Sequence, residues 1–329
     1  MEKIILEINV RNVRQWARLG PRGFFGQAIL SIAEKHNDLI VMSADLGSSS
    51  GLERFRISYP QKFLNTGVAE QNLIGVAAGL AKEGHNVFAT SFSPFVAMRA
   101  SDQVRMNMGY MNLNIKAVAI GSGIGMGFLG NSHFGIEDAA VMRSIPNVTV
   151  VAPADCAEVL QTVRAAATFK GPMYIRLTGI TNCPIVYSEE YDFQIGKAIT
   201  LRDGGTITII ATGSMVAGAL KTADLLQELG IKASVVNMHT IKPLDGAAVD
   251  RAVETSNAIF TLEEHSIIGG LGSAVAEYLA PKKNKVPQML LGLPDAYIKT
   301  GSYDYMLKDQ GLTPETISEK IIKFLQENS

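Results

Sequence analysis

From about residue 22 the chain alternates between stretches with apolar residues at helical spacing and short runs that are apolar throughout. The first pattern is that of a helix with one buried face, the second that of a strand buried on both faces. Their alternation predicts a parallel sheet covered by helices. Residues 22–34 read as a helix with Ile29 and Ile32 on its apolar side, and residues 39–42 as a buried strand ending at Ser43-Ala44-Asp45-Leu46-Gly47. Gly67 opens a second helix running through Glu70 to Lys82, and a strand follows at 87–91. Further strands are expected at 115–120, 148–151 and 174–177, and Asp155 followed by Glu158 is a capping-box start for a helix through Phe169.

A polar, turn-rich stretch at 182–194 interrupts the pattern. Alternation then resumes, with strands at 206–210, 233–237 and 258–262 and a helix at 217–229. The expected organisation is one α/β domain over 1–190 and a smaller α/β domain over 191–329.

Composition narrows the function classes. With 47% hydrophobic and 19% charged residues, a chain of 329 residues has enough apolar material for two cores. Thirty basic against thirty-one acidic side chains give a net charge of -1, so no overall field recruits nucleic acid or an anionic membrane. Cys156 and Cys183 are the only cysteines, too few for a disulfide framework, which favours a reducing compartment. Residues 1–7 place acidic side chains where a signal peptide needs an unbroken apolar run, and no stretch reaches transmembrane length. The expectation is a cytoplasmic protein.

Candidate chemistry begins at Gly67-Val68-Ala69-Glu70-Gln71, which sets a carboxylate in the first turn of an expected helix. Taken alone, Glu70 reads as an acid complementing the helix dipole. Phe92 and Phe95 follow the next strand, and by spacing alone they read equally well as core residues. Next come Arg99-Ala100-Ser101-Asp102-Gln103 and the glycine-rich strand exit Gly121-Ser122-Gly123-Ile124-Gly125-Met126-Gly127. That exit closes on Asn131-Ser132-His133. Glu263-Glu264-His265 and Gly269-Gly270 mark the second half.

As an ordered set these motifs resemble the pyrimidine-binding and C-terminal domains of transketolases, and more closely the shorter subunit of two-chain transketolases; deoxyxylulose-phosphate synthase is a nearby relative. The resemblance covers essentially the whole chain. It implies a thiamine diphosphate site in which Glu70 bonds the pyrimidine N1′, driving the imino tautomer that deprotonates C2 of the thiazolium ring. It also implies stacking by Phe92 and Phe95, lining by Asp45 and Leu46, and hydrogen bonds from His133 to the reacting oxygens of the sugar. Arg22, Ser49 and Arg176 match the family's substrate- and phosphate-binding positions.

The family's other half, marked by Gly-Asp-Gly and a downstream Asn that hold Mg²⁺ (or Ca²⁺) on the diphosphate, is not found. Asp203-Gly204-Gly205 has the wrong order and reads as a turn before a strand. The resemblance therefore implies that a diphosphate-binding partner subunit supplies the metal site, in a heterotetramer with two sites, and that this chain holds no metal of its own. The substrate end departs from the family pattern. Leu129 stands where an aspartate reads a sugar hydroxyl, Gly121 where a histidine stands, Gly179 where an arginine grips phosphate, and Met98 where a third aromatic completes the stacking wall. The expected reaction is transfer of a two-carbon ketol unit from a ketose to an unusual aldehyde acceptor. The alternatives are decarboxylation of a 2-oxo acid, as in pyruvate dehydrogenase beta subunits or deoxyxylulose-phosphate synthase, and a non-catalytic scaffold of the same fold.

Overall fold

Among the described residues seven strands share one sheet, whose central strands are apolar on both faces. The computed structural model describes residues 6–328; the acidic N-terminal stretch noted above lies mostly outside the described residues. In chain order the strands are β1 (Leu39–Ser43), β2 (Phe63–Asn65), β3 (Asn86–Phe92), β4 (Ile115–Ser122), β5 (Thr149–Val151) and β6 (Met173–Thr178). The second half adds β7 (Ile199–Arg202), β8 (Ile207–Ala211), β9 (Ala233–Asn237), β10 (Thr240–Lys242), β11 (Ile259–Ser266) and β12 (Gln288–Leu293). The first sheet has the order β10-β5-β6-β4-β3-β1-β2 and the second β12-β11-β8-β9-β7. Neighbours are parallel except β10 against β5 and β7 against β9.

Every residue of β3, β4 and β6 is buried, as strands covered by helices on both faces require. The helix Val10–Ile32 packs on one face with Cys156–Thr168, and Glu70–Lys82 on the other. Ile29 and Ile32 are buried as the spacing implied.

That first helix corrects the expected start at residue 22. Asn9 caps a helical stretch at Val10, and Gly20, at φ 72°, bends the chain before Pro21 restarts it. Proline suits the first turn of a helix, where its missing N–H is not needed. Asp155 caps as expected, its side chain accepting from the Glu158 amide. Strand β10 belongs by sequence to the second half but hydrogen-bonds to β5 of the first sheet. Asp203-Gly204-Gly205 forms the turn between β7 and β8, with Gly204 at φ 81°.

The two halves meet along β11. Glu264 accepts from the Ile124 amide at 2.6 Å, from Tyr303 Oη at 2.6 Å and from Ser214 Oγ. Glu263 accepts from the Leu271 and Gly272 amides at the start of helix Leu271–Leu279, and His265 Nε2 accepts from the Ala140 amide. Among the described residues no helix is long and apolar enough to cross a membrane.

Candidate active site

The parallel strands deliver the candidate residues to one edge. Asp45, Leu46 and Ser49 follow β1, Glu70 follows β2, Phe92 ends β3, and the glycine-rich loop follows β4. The carboxyl ends of adjacent strands are where open α/β sheets bind ligands.

Glu70 is the first residue of its helix and is 1% exposed. Its Oε1 accepts from Ser91 Oγ at 3.0 Å and its Oε2 from Arg99 Nη1 at 2.7 Å. The two donors differ: Ser91 is fully buried in β3, whereas the Arg99 side chain is 48% exposed. Arg99 ends a wide helical turn, Phe95–Arg99, which places its guanidinium carbon 4.3 Å from the Phe95 ring centroid. Turns of this π type recur at functional sites.

Phe92 and Phe95 meet edge to face with centroids 6.0 Å apart, and His133 packs edge-on against both, at 5.4 Å and 5.1 Å. Ser132 Oγ lies 3.0 Å from His133 Nδ1. Met98, at the position of the missing third aromatic, is 50% exposed. Glu70, Arg99, Phe95, Phe92 and His133 therefore form one connected group.

Asp45 is exposed at φ 59°, with its amide on Asn65 Oδ1 at 3.0 Å; the same oxygen accepts from the Gly67 amide. That amide side chain ties the loop after β1 to the turn leading into Glu70. Leu46, half-buried, is anchored through its amide to Ser43 Oγ. Ser49 lies further along this loop, which presses on the start of the helix carrying Arg22. A Cβ on Gly51 would fall 2.2 Å from Gly23 O. Arg22 is half-buried and has no hydrogen-bond or ion-pair partner among the described residues, and burial lowers its pKa from the ordinary arginine value. A half-buried arginine without a counter-charge leaves its donors unpaired and partly desolvated.

Arg176 is placed differently. Its Nε spans both oxygens of Asp138 at 3.0 Å and its Nη2 donates to the carbonyls of Gly135 and Glu264. At 6% exposed, the charge is spent inside the protein, bracing the glycine-rich loop against the second half. Cys156 and Cys183 are free, with sulfurs 3.7 Å apart. Among the described residues no group of three or more His, Cys, Asp or Glu gathers as a metal site.

The departures at Gly121 and Gly179 have one structural correlate. A Cβ on Gly121 would lie 2.8 Å from Met126 Cγ, and one on Gly179 would lie 2.5 Å from Met126 Sδ. The buried Met126 fills the volume that side chains at both positions would take. Sequence reasoning assigned no role to Arg99, Ser91 or Met126. The four-residue step from Phe95 to Arg99, one helical turn, was the available signal for the first; nothing in the sequence pointed to the others.

The fold and this edge define a two-domain α/β subunit with a carboxylate–aromatic cluster in its first domain. Residues 20–180 match the transketolase pyrimidine-binding domain and residues 196–317 the transketolase C-terminal domain. The chain belongs to the transketolase family. It is 42% identical over 306 residues to a putative transketolase C-terminal section of Methanocaldococcus jannaschii, covering 92% of this chain and 96% of that one. It is also 40% identical to a 6-deoxy-6-sulfo-D-fructose transketolase subunit of Clostridium sp., covering 90% and 91%. One of the apulose-4-phosphate transketolase subunits of Phocaeicola vulgatus is 34% identical, covering 93% and 97%. Among solved structures, a split gene transketolase described as an inactive beta4 tetramer superposes with TM-score 0.83 at 38% identity, covering 92% and 97%. The chain is thus a transketolase-type transferase subunit of the kind that works with a partner chain.

Proposed function

We propose that this chain is the pyrimidine-binding half of a two-chain, thiamine diphosphate-dependent transketolase that moves a two-carbon ketol unit from a ketose to an unusual aldehyde acceptor. The observation that carries this reading is the buried Glu70 carboxylate, set beside Phe92, Phe95 and His133 and closed only by a half-exposed arginine. A carboxylate so placed suits an aminopyrimidine nitrogen, and flat apolar rings suit its faces.

Bound here, thiamine diphosphate supplies the carbon nucleophile that accepts the ketol unit. Glu70 holds the proton shared with the pyrimidine N1′, in a site dry enough for that bond to be strong. Phe92 and Phe95 would hold the ring by contact with its apolar surface, and Asp45 and Leu46 would border it. His133 hydrogen-bonds the sugar oxygens, and its packing on both phenylalanines fixes it beside the ring they hold. Arg22 and Ser49 take the phosphate of a phosphorylated substrate. Arg176 acts from within, holding Asp138 and the glycine-rich loop in place. The partner subunit, carrying Gly-Asp-Gly and Asn, supplies Mg²⁺ (or Ca²⁺) and the diphosphate site, and the assembly is a cytoplasmic heterotetramer.

Relatives named for sulfofructose and apulose phosphate, both ketoses, support an unusual sugar substrate, and the apolar filling of Gly121 and Gly179 by Met126 fits an altered substrate end. Both deoxyxylulose-phosphate synthases and transketolases are related, so the reaction type needs its own test. The complex with the Gly-Asp-Gly-bearing chain is incubated with ketose donors and a panel of aldehydes. Ketol transfer without gas release is expected; carbon dioxide release from pyruvate, with no ketol transfer, would sink the proposal. This chain alone should be inactive.

A further inference from the structure

Arg99 makes, at one place, the two kinds of contact that the proposed cofactor ring needs. Its Nη1 donates to Glu70 Oε2 at 2.7 Å, and its guanidinium lies over the Phe95 ring at 4.3 Å. A guanidinium is flat, carries in-plane N–H donors and stacks on aromatic faces, so in both respects it resembles an aminopyrimidine carrying a proton on N1′. With Ser91 on Oε1, both oxygens of Glu70 are taken.

We propose that Arg99 is an internal stand-in for the aminopyrimidine, plugging the Glu70–Phe95 site until the cofactor displaces it. This inference rests on the thiamine diphosphate reading above. The plug solves an electrostatic problem. A glutamate 1% exposed needs a counter-charge or a proton, and before assembly with a partner no cofactor is there to provide one. Arg99 provides the charge. Its side chain is also 48% exposed, so it can swing into solvent without unpacking the core, which Ser91, fully buried in β3, cannot do. Glu70 is thereby kept paired and aimed, at the expense of affinity, since the cofactor binds only the fraction of molecules in which the plug is open.

The test is cofactor affinity of the assembled complex, read by quenching of intrinsic fluorescence or by calorimetry, for wild type, Arg99→Met and Arg99→Lys. Methionine keeps the stem but cannot bond Glu70, and should lower the dissociation constant of thiamine diphosphate about tenfold, equivalent to about 1.4 kcal/mol. Lysine keeps the charge without the flat stacking surface and should fall between. Without cofactor, Arg99→Met should melt earlier than wild type and gain more from added cofactor, because its Glu70 has lost its counter-charge. Should the methionine variant prove too unstable, the lysine variant carries the same prediction with the same sign. Unchanged or weaker binding in the variants overturns the plug and leaves Arg99 as a support that stays on Glu70 throughout. A wild-type complex that fails to bind thiamine diphosphate at all overturns instead the functional reading on which the plug depends.

Discussion

Glu70 and Glu264 are both glutamates, both about 1% exposed and both fully hydrogen-bonded, yet they stand in different relations to the rest of the molecule. Every donor to Glu264 is part of the framework: a backbone amide from the glycine-rich loop, a serine and a half-buried tyrosine of the second half. Burial pushes its pKa up from the ordinary carboxylate value. Glu70 has one framework donor and one, Arg99, that opens to solvent. Burial of an acid therefore does not by itself mark chemistry. A replaceable donor does, because it leaves the carboxylate a bond to offer an incoming group without breaking the fold.

The sharpest way to break this comparison is to neutralise Glu70. Glu70→Gln keeps the shape and the Ser91 contact but loses the proton-holding charge. Turnover of the assembled enzyme should fall by about two to four powers of ten, with the melting temperature within a few degrees of wild type. A collapse of stability instead would place Glu70 with Glu264 as a structural acid. The converse substitution, Glu264→Ala, strands one buried amide and two half-buried hydroxyls at the joint between the halves. It should lower the unfolding free energy by about 3 kcal/mol in a denaturant titration. A loss under about 1 kcal/mol would mean that water or a shifted loop satisfies those donors, and that the joint is softer than its bonds imply.

How far this contrast was legible in the sequence follows from what each part rests on. The buried strands were legible because both-face burial leaves continuous apolar runs, as in β3, β4 and β6. The helix start at Val10 was missed because its face mixes Arg11, Arg14, Gln15 and Arg18 with Val13, Trp16 and Ala17, so the apolar stripe is narrow. Short β2 and β10 were missed because, unlike the equally short β5, they lie in no continuous apolar run, and β10 joins the first sheet only through tertiary pairing. Of the candidate site, Glu70, Phe92, Phe95 and His133 were nameable by resemblance; the structure brings the last three into contact and joins Glu70 to them through Arg99. The two roles of Glu263-Glu264 as loop and helix anchors were not legible, since nothing local says that Glu264 reaches Ile124, 140 positions away. Arg176 illustrates the same limit: a cation in a family position reads alike whether it faces a ligand or, as here, Asp138.

A third buried acid tests whether titration follows the same division. Glu158 accepts from Asn237 Nδ2, the Ala154 amide and Tyr191 Oη, and burial pushes its pKa up to about 8. A carboxyl whose folded pKa is raised binds its proton more tightly folded than unfolded. Its stabilisation is therefore fully present below the unfolded value near 4.5 and is lost as pH rises toward 8. Glu158→Gln removes this dependence. Between pH 6 and pH 8 the stability of wild type should fall relative to the variant by about 2 kcal/mol, read from paired melts at several pH values. Parallel curves would show that Glu158 is ionised in the native joint and that its three donors outweigh its burial.

The smallest effect expected carries the comparison over to cations. Arg22 is half-buried without a partner, whereas Arg176 is buried with Asp138 and two carbonyls. An unpartnered, partly desolvated guanidinium costs stability until an anion arrives. Arg22→Met should therefore leave the unloaded chain as stable as wild type or slightly more so, and raise KM for a phosphorylated substrate about tenfold, near 1.4 kcal/mol. KM for the matching sugar without phosphate should not move, because that substrate never used the charge. Arg176→Met should do the reverse, lowering folded yield and melting temperature before any substrate is added, since it leaves Asp138 buried without its counter-charge and with only the Tyr174 hydroxyl donating to it. Equal KM increases for both substrates in the Arg22 variant would instead mean that Arg22 holds the loop of Ser49, through the close approach of Gly51 to Gly23, and reads no phosphate.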